Sequence, residues 1–146
     1  MKKLDSSILN KVLEEFKIKN NSNIYLSLDI MKLAVNLNLH KKDMEEFANS
    51  VLVFFLDKIG KNGNLAIPVF NEDSINKGFF DRKTSLGQSG AFGNLLLKKN
   101  FNNRSRHPYV SYLFFGKDAA ELININNQNS EGLDSPWQKI INKNFI

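Results

Sequence analysis

The sequence predicts an α/β fold: a small sheet, mainly parallel or mixed, with helices on its faces. Short apolar runs rich in aromatic and β-branched residues alternate with segments whose apolar residues recur at helical spacing. Many of those helical segments carry a recognisable start or stop residue, so their boundaries can be read. The chain has 146 residues, 42% of them hydrophobic and twelve of them phenylalanine, enough for a single domain with a buried core. No internal repeat or linker divides it, so residues 1–146 read as one domain. Only three or four strands can be counted, and an apolar run is just beginning at residues 144–146. The sheet is therefore expected to be incomplete on its C-terminal side.

The elements follow in order. Ile8, Leu9, Val12, Leu13 and Phe16 share one face behind the cap candidates Asp5 and Ser6, predicting a first helix to about Lys17. Residues 23–28 (NIYLSL) read as a strand. Asp29 stands at the cap position of a second helix carrying Ile30, Met31, Leu33, Ala34 and Leu37. Asp43 and Glu46 form a capping-box pair for a long helix that carries Phe47, Val51, Phe54, Phe55 and Ile59 and ends at Gly60. After a turn at Asn62 and Gly63, residues 65–70 (LAIPVF) predict a second strand. Residues 71–90 read as an irregular loop, 88–99 as a helix and 109–115 as a third strand. Gly116 precedes a short helix with Ala119, Ala120, Leu122 and Ile123, and residues 124–131 read as polar loop. Ser135 with Pro136 at the first helical position opens a last helix.

Composition excludes several classes of protein. Without cysteine there is no disulfide, thiol nucleophile or cysteine zinc site. The basic start lacks the apolar stretch of a signal peptide, because Glu14, Glu15 and Lys17 interrupt it. The longest apolar run, residues 51–56, is too short to span a bilayer. A soluble, cytoplasmic protein with no membrane partner is expected. The net charge of +5 is spread among acids over the first 60 residues, and only 98–107 (KKNFNNRSRH) concentrates it. That pattern suits a local anion pocket better than a nucleic-acid groove, so no nucleic-acid partner is expected.

The sharpest local feature is residues 102–116, NNRSRHPYVSYLFFG. Arg104, Ser105, Arg106 and His107 crowd in front of Pro108, which biases His107 to extended backbone and suits only the start of a strand. The stretch is compatible with an anion-docking loop and with a solvated turn. His107 reads as a general base or as a donor that organises its loop, with its charged form disfavoured by the flanking arginines. His40, among lysines, reads as a surface residue, and no metal-ligand spacing exists. Gly87, Gly90 and Gly93 recur at intervals of three without the P-loop pattern or a strand leading into them, which favours close backbone packing at a helix start. Asp81 and Thr84 make typical turn chemistry.

Six pieces occur in order: YLSLDIMKL (25–33), GNLAIPVF (63–70), FDRKTSLGQSGAFGN (80–94), RSRHPYVS (104–111), FGKDAAEL (115–122) and GLDSPW (132–137). On these, with His-Pro-x-x-Ser and Ser-Pro-Trp the most telling, the sequence resembles the aminoglycoside 3-N-acetyltransferase-like family of acetyl-CoA-dependent N-acetyltransferases. It is particularly similar to members serving sugar or polysaccharide pathways, from about residue 8 onward. The resemblance implies acetyl-CoA as co-substrate, no metal, and a small-molecule amine of an aminoglycoside or amino sugar as acceptor. It implies cofactor loops carrying Ser27, Leu28 and Asp29, and Arg104, Ser105, His107 and Ser111. Leu28 departs from the small polar residue usual there, which leaves its backbone amide as the contact. The family is longer, and its general base falls in a second half beyond residue 146, so the resemblance assigns no catalytic residue here. It implies an N-terminal half: a truncated frame, a fragment, or a chain completed by self-association or by a separately encoded second half.

Overall fold

The computed structural model describes residues 6–125 and 129–146. The elements are α1 (Ser6–Glu15), β1 (Asn23–Tyr25), α2 (Ile30–Asn36), α3 (Met44–Ile59), β2 (Asn64–Pro68), α4 (Asp73–Lys77), α5 (Ala91–Asn100), β3 (Tyr112–Gly116), α6 (Ala119–Asn124) and α7 (Pro136–Asn142), with single 3-10 turns at Lys41–Asp43 and Phe101–Asn103. The strands form one open mixed sheet in the order β1-β2-β3. β1 runs parallel to β2, pairing Ile24 with Leu65, and β3 runs antiparallel to it, pairing Pro68 with Tyr112. The expected small mixed α/β sheet is what forms.

Period-two alternation divides the strand side chains between two cores. On one face Ile24, Leu65, Ile67, Leu113 and Phe115 join residues of α1, α2, α3 and α5, among them Leu13, Ile30, Val51, Phe55 and Leu96. Each such buried side chain contributes on the order of 2 kcal/mol of transfer free energy, so this face dominates stability. The other face is thinner: Ala66, Tyr112 and Phe114 meet Leu122 of α6 and Ile140 of α7, with Tyr25, Phe70 and Val110 partly buried around them.

Several expected boundaries move, for local reasons. α1 stops at Glu15 because Lys17 turns left-handed at φ 54°. α2 and α7 start as expected: the Asp29 carboxylate accepts from the Lys32 amide at 3.0 Å, and Ser135 Oγ accepts from the Gln138 amide at 3.1 Å. Asp43 instead adopts helical backbone and makes no side-chain cap. The presumed loop 71–90 contains α4, begun by Asn71, whose Oδ1 accepts from the Ser74 amide at 2.7 Å. β3 begins at Tyr112 rather than 109, since the amides of Tyr109 and Val110 turn inward to the His107 ring. Asp5 and residues 126–128 lie outside the described residues.

The last residue continues the sheet. Ile146 donates its amide to the Asn23 carbonyl at 2.9 Å and accepts from the Tyr25 amide at 2.8 Å, which is the pattern of a parallel neighbour on the outer edge of β1.

Candidate functional site

The strand directions bring three loops to one end of the sheet. The carboxyl ends of β1 and β2 lie beside the start of β3, so residues 26–29, 69–90 and 104–111 meet there. In open α/β sheets this crevice outside the carboxyl ends of parallel strands is where ligands bind.

Arg104 is the hub of that end. It is wholly buried, with 0% of its surface exposed. Its Nε donates to Ser111 Oγ at 2.9 Å, and Nη2 to the Val69 carbonyl at 3.0 Å. Nη1 donates to the carbonyls of Ser85 and, at 3.4 Å, Arg82, while the guanidinium lies 4.7 Å from the centre of the Phe80 ring. Arg82 answers in kind, its Nη2 donating to the carbonyls of Asn102 and Arg104. Each arginine side chain thus holds the other's backbone. Burial, then the Arg82 charge, brings Arg104 down to about 10, with Asp81 partly opposing. Arg104 is still cationic at neutral pH. Burial, then Arg106, lowers Arg82 as well, and its Nε is buried without a hydrogen-bond partner. Among the described residues no carboxylate forms an ion pair with Arg82, Arg104 or Arg106.

The other expected residues divide between scaffold and surface. Ser111 Oγ donates to the Val69 carbonyl at 2.6 Å, and buried Ser105 accepts from the Tyr112 amide at 3.0 Å. His107 is 5% exposed, and its Nδ1 accepts from the amides of Val110 at 2.9 Å and Tyr109 at 3.2 Å. Nδ1 therefore carries no proton, and the ring shapes the turn before β3. Ser27 and Asp29 are exposed at the tip of the first loop. Leu28 is half-buried and packs against the main core. Arg106 is exposed and bonds Asn124 Oδ1 at 3.0 Å.

Close packing holds at Gly87 and Gly93 but not at Gly90, which has open space around it and is set instead by its φ of 120°. A Cβ at Gly93 would stand 2.6 Å from the Pro68 carbonyl oxygen, so α5 is pressed against the end of β2. Asn94 fixes the loop by exchanging hydrogen bonds with the Gly87 amide and carbonyl at 2.8 and 2.7 Å. Asp81 accepts from the amides of Lys83 and Thr84 and from Thr84 Oγ1, a turn that presents Arg82. Sequence reasoning missed Arg82. The tight turn chemistry just before Arg82 was the one available signal for it. Among the described residues no cluster of three or more metal-ligating side chains forms.

A small mixed sheet that gathers buried and exposed guanidiniums where its parallel strands end defines an open α/β class of protein. Comparison with known proteins makes this specific. The family described as Aminoglycoside 3-N-acetyltransferase matches residues 40–144, and the chain belongs to it. Among solved structures it is similar to sisomicin-bound AAC-VIa, at 16% identity and TM-score 0.70, over 94% of this chain and 56% of that one. It is similar to the YokD protein from Bacillus subtilis, at 16% identity and TM-score 0.67, over 89% of this chain and 57% of that one. A binary complex of AAC-IIIb with CoASH matches at 14% identity and TM-score 0.68, over 92% of this chain and 54% of that one. At such identities the likeness is one of fold. The chain spans about half the length of the solved structures it matches. No curated protein matches it significantly. No helix among the described residues is long and apolar enough to cross a membrane.

Proposed function

We propose that residues 1–146 form one domain that supplies the cofactor-binding part of an acetyl-CoA-dependent N-acetyltransferase, acting on an amine of an aminoglycoside or amino sugar. The observation that carries this reading is the guanidinium cluster at the sheet end, whose hydrogen bonds go to backbone carbonyls and a serine hydroxyl that leave its charge uncancelled. Family membership supports it. So does the CoASH held by the fold relative AAC-IIIb, as sisomicin held by AAC-VIa supports an amine acceptor. Coenzyme A carries a pyrophosphate and a 3′-phosphate, which suit such a field.

In this reading Arg104, Ser105, His107 and Ser111 give the cofactor loop its shape, while Ser27, the Leu28 amide, Asp29 and the exposed Arg106 face the ligand. Bound acetyl-CoA supplies an activated acetyl group. Its thioester C–S bond would break as the amide C–N bond forms, CoA leaving as the thiolate, and the amine proton would pass to a base that can return it to the sulfur. In this reading His107 organises its loop rather than taking that proton, since its Nδ1 accepts from two amides and the neutral ring then carries its hydrogen on Nε2. Calorimetric titration of the folded chain with acetyl-CoA and with CoA tests the reading: saturable binding of both is expected. A folded chain that binds neither at millimolar concentration overturns it.

A second reading is favoured by the Ile146 pairing on the edge of β1. A non-catalytic interaction module would use that edge for self-association or for a separately encoded second half. Sedimentation over a range of concentrations discriminates, since a stable monomer throughout argues against self-association.

A further inference from the structure

Asn62 stands in the turn between α3 and β2, exposed, and its side chain makes no hydrogen bond among the described residues. Other asparagines are held. Asn23 donates to the Lys143 carbonyl at 2.7 Å, Asn71 to that of Leu86 at 2.6 Å, Asn94 to that of Gly87 at 2.7 Å and Asn103 to that of Phe114 at 2.9 Å. Asn62 is also the one asparagine of the chain that is followed by glycine. Packing requires that glycine: a Cβ at Gly63 would stand 2.6 Å from both the Ile59 Cβ and the Ser22 carbonyl oxygen. The fold therefore imposes, next to a free carboxamide, the residue whose amide nitrogen no side chain shields.

We propose that Asn62 is a site of spontaneous deamidation, and that its conversion to isoaspartate loosens the end of the sheet away from the guanidinium loops. The Gly63 nitrogen attacks the side-chain carbonyl carbon of Asn62, and the Gly63 amide hydrogen leaves with the side-chain NH2 as ammonia. A cyclic imide results. Water opens it at either carbonyl, giving aspartate or, with the main chain rerouted through Cγ, isoaspartate. Isoaspartate adds a methylene to the backbone just before a glycine that has no room to move. The Gly63 carbonyl accepts from the Lys117 amide at 3.2 Å, and a Cβ at Gly116 would collide with it, so the turn is pressed against the end of β3. The next residue, Asn64, opens β2 between Asn23 and Gly116 and bonds the Asp118 carboxylate at 3.1 Å. A shifted Gly63 thus disturbs the start of all the pairing at this end.

Incubation of the folded chain at mildly alkaline pH tests this, followed by mass spectrometry of its peptides with isoaspartate detection and by thermal unfolding. Asn62 is expected to convert before any other asparagine, and the converted chain to melt about 5 °C lower. Asn62→Gln, whose longer side chain closes the imide ring slowly, should keep its starting mass at that peptide and its starting melting temperature over the same period. If Asn62 stays intact in the folded chain while the urea-unfolded chain converts it, the turn protects the residue and the proposal is overturned. Conversion at Asn62 with unchanged melting also overturns it, because the turn then tolerates the longer backbone. A loss of stability shared by the Asn62→Gln chain places the damage elsewhere and overturns it too.

Discussion

The two ends of the sheet solve the problem of polar groups beside a core in opposite ways. At the end away from the site, buried Asn64 donates to Asn23 Oδ1 at 2.9 Å and to the Asp118 carboxylate at 3.1 Å, and accepts from the Asp118 amide at 2.7 Å. Lys143 closes the cluster on Asp118 at 2.9 Å and Glu121 at 3.3 Å. Cation and carboxylate face one another directly, and α6 and α7 are tied to the strands. At the site end Arg82 and Arg104 bond to backbone carbonyls and one serine hydroxyl, with no carboxylate among their described partners. Dipoles satisfy hydrogen bonds but do not cancel a net charge. One end is electrostatically closed; the other keeps a positive field for something else to meet.

The contrast breaks most visibly at Arg104. Arg104→Ala leaves the carbonyls of Val69, Ser85 and Arg82 short of a donor and opens a cavity, and should cost ~3 kcal/mol in urea unfolding. Arg104→Lys should recover less than half of this, because one ammonium lacks the planar fork that reaches all of them. A loss below ~1 kcal/mol for Arg104→Ala would mean that the hub is dispensable. Gly93→Ala comes next. Its Cβ would meet the Pro68 carbonyl at 2.6 Å, so α5 must move off β2 at a cost of ~2 kcal/mol, measured by thermal unfolding.

The smallest effect sharpens the comparison at the closed end. Asp118→Asn should cost ~1 kcal/mol at neutral pH, since the Lys143 pair is partly solvated. The Lys143 hydrogen bond is the main cause that lowers the Asp118 pKa, and the Asp118 hydrogen bond is the main cause that raises that of Lys143. The Asp118 contribution is therefore present above the unfolded carboxylate pKa and lost as pH falls through the folded one. That of Lys143 is present below its unfolded pKa and lost as pH rises through the folded one. Acid titration of stability should show the Asp118 component in the wild type and not in the variant.

What could be read from the sequence was local. The caps at Asp29 and Ser135 depend on amides three residues away, and the α/β sheet was read from short apolar runs alternating with helical segments. Whether a guanidinium faces in or out depends on distant partners: the Val69 carbonyl that holds Arg104 lies 35 residues away in sequence. The start of β3 was hidden for a related reason, because the His107 ring captures two amides that a strand would otherwise use. Tyr112 looked like one more apolar strand residue, and only burial without a partner distinguishes its hydroxyl. The six ordered pieces made the family legible where no single side chain did.

The mutual grip of Arg82 and Arg104 also has a dynamic consequence. Arg82 fastens the backbone of residues 102 and 104, and Arg104 fastens that of 82, 85 and 69, so neither loop can loosen while the other stays fixed. The amides of both loops should then exchange with solvent as one cooperative unit with a shared opening free energy. A molecule that pins either loop would slow exchange in both. The two segments, far apart in sequence, behave as a single moving part.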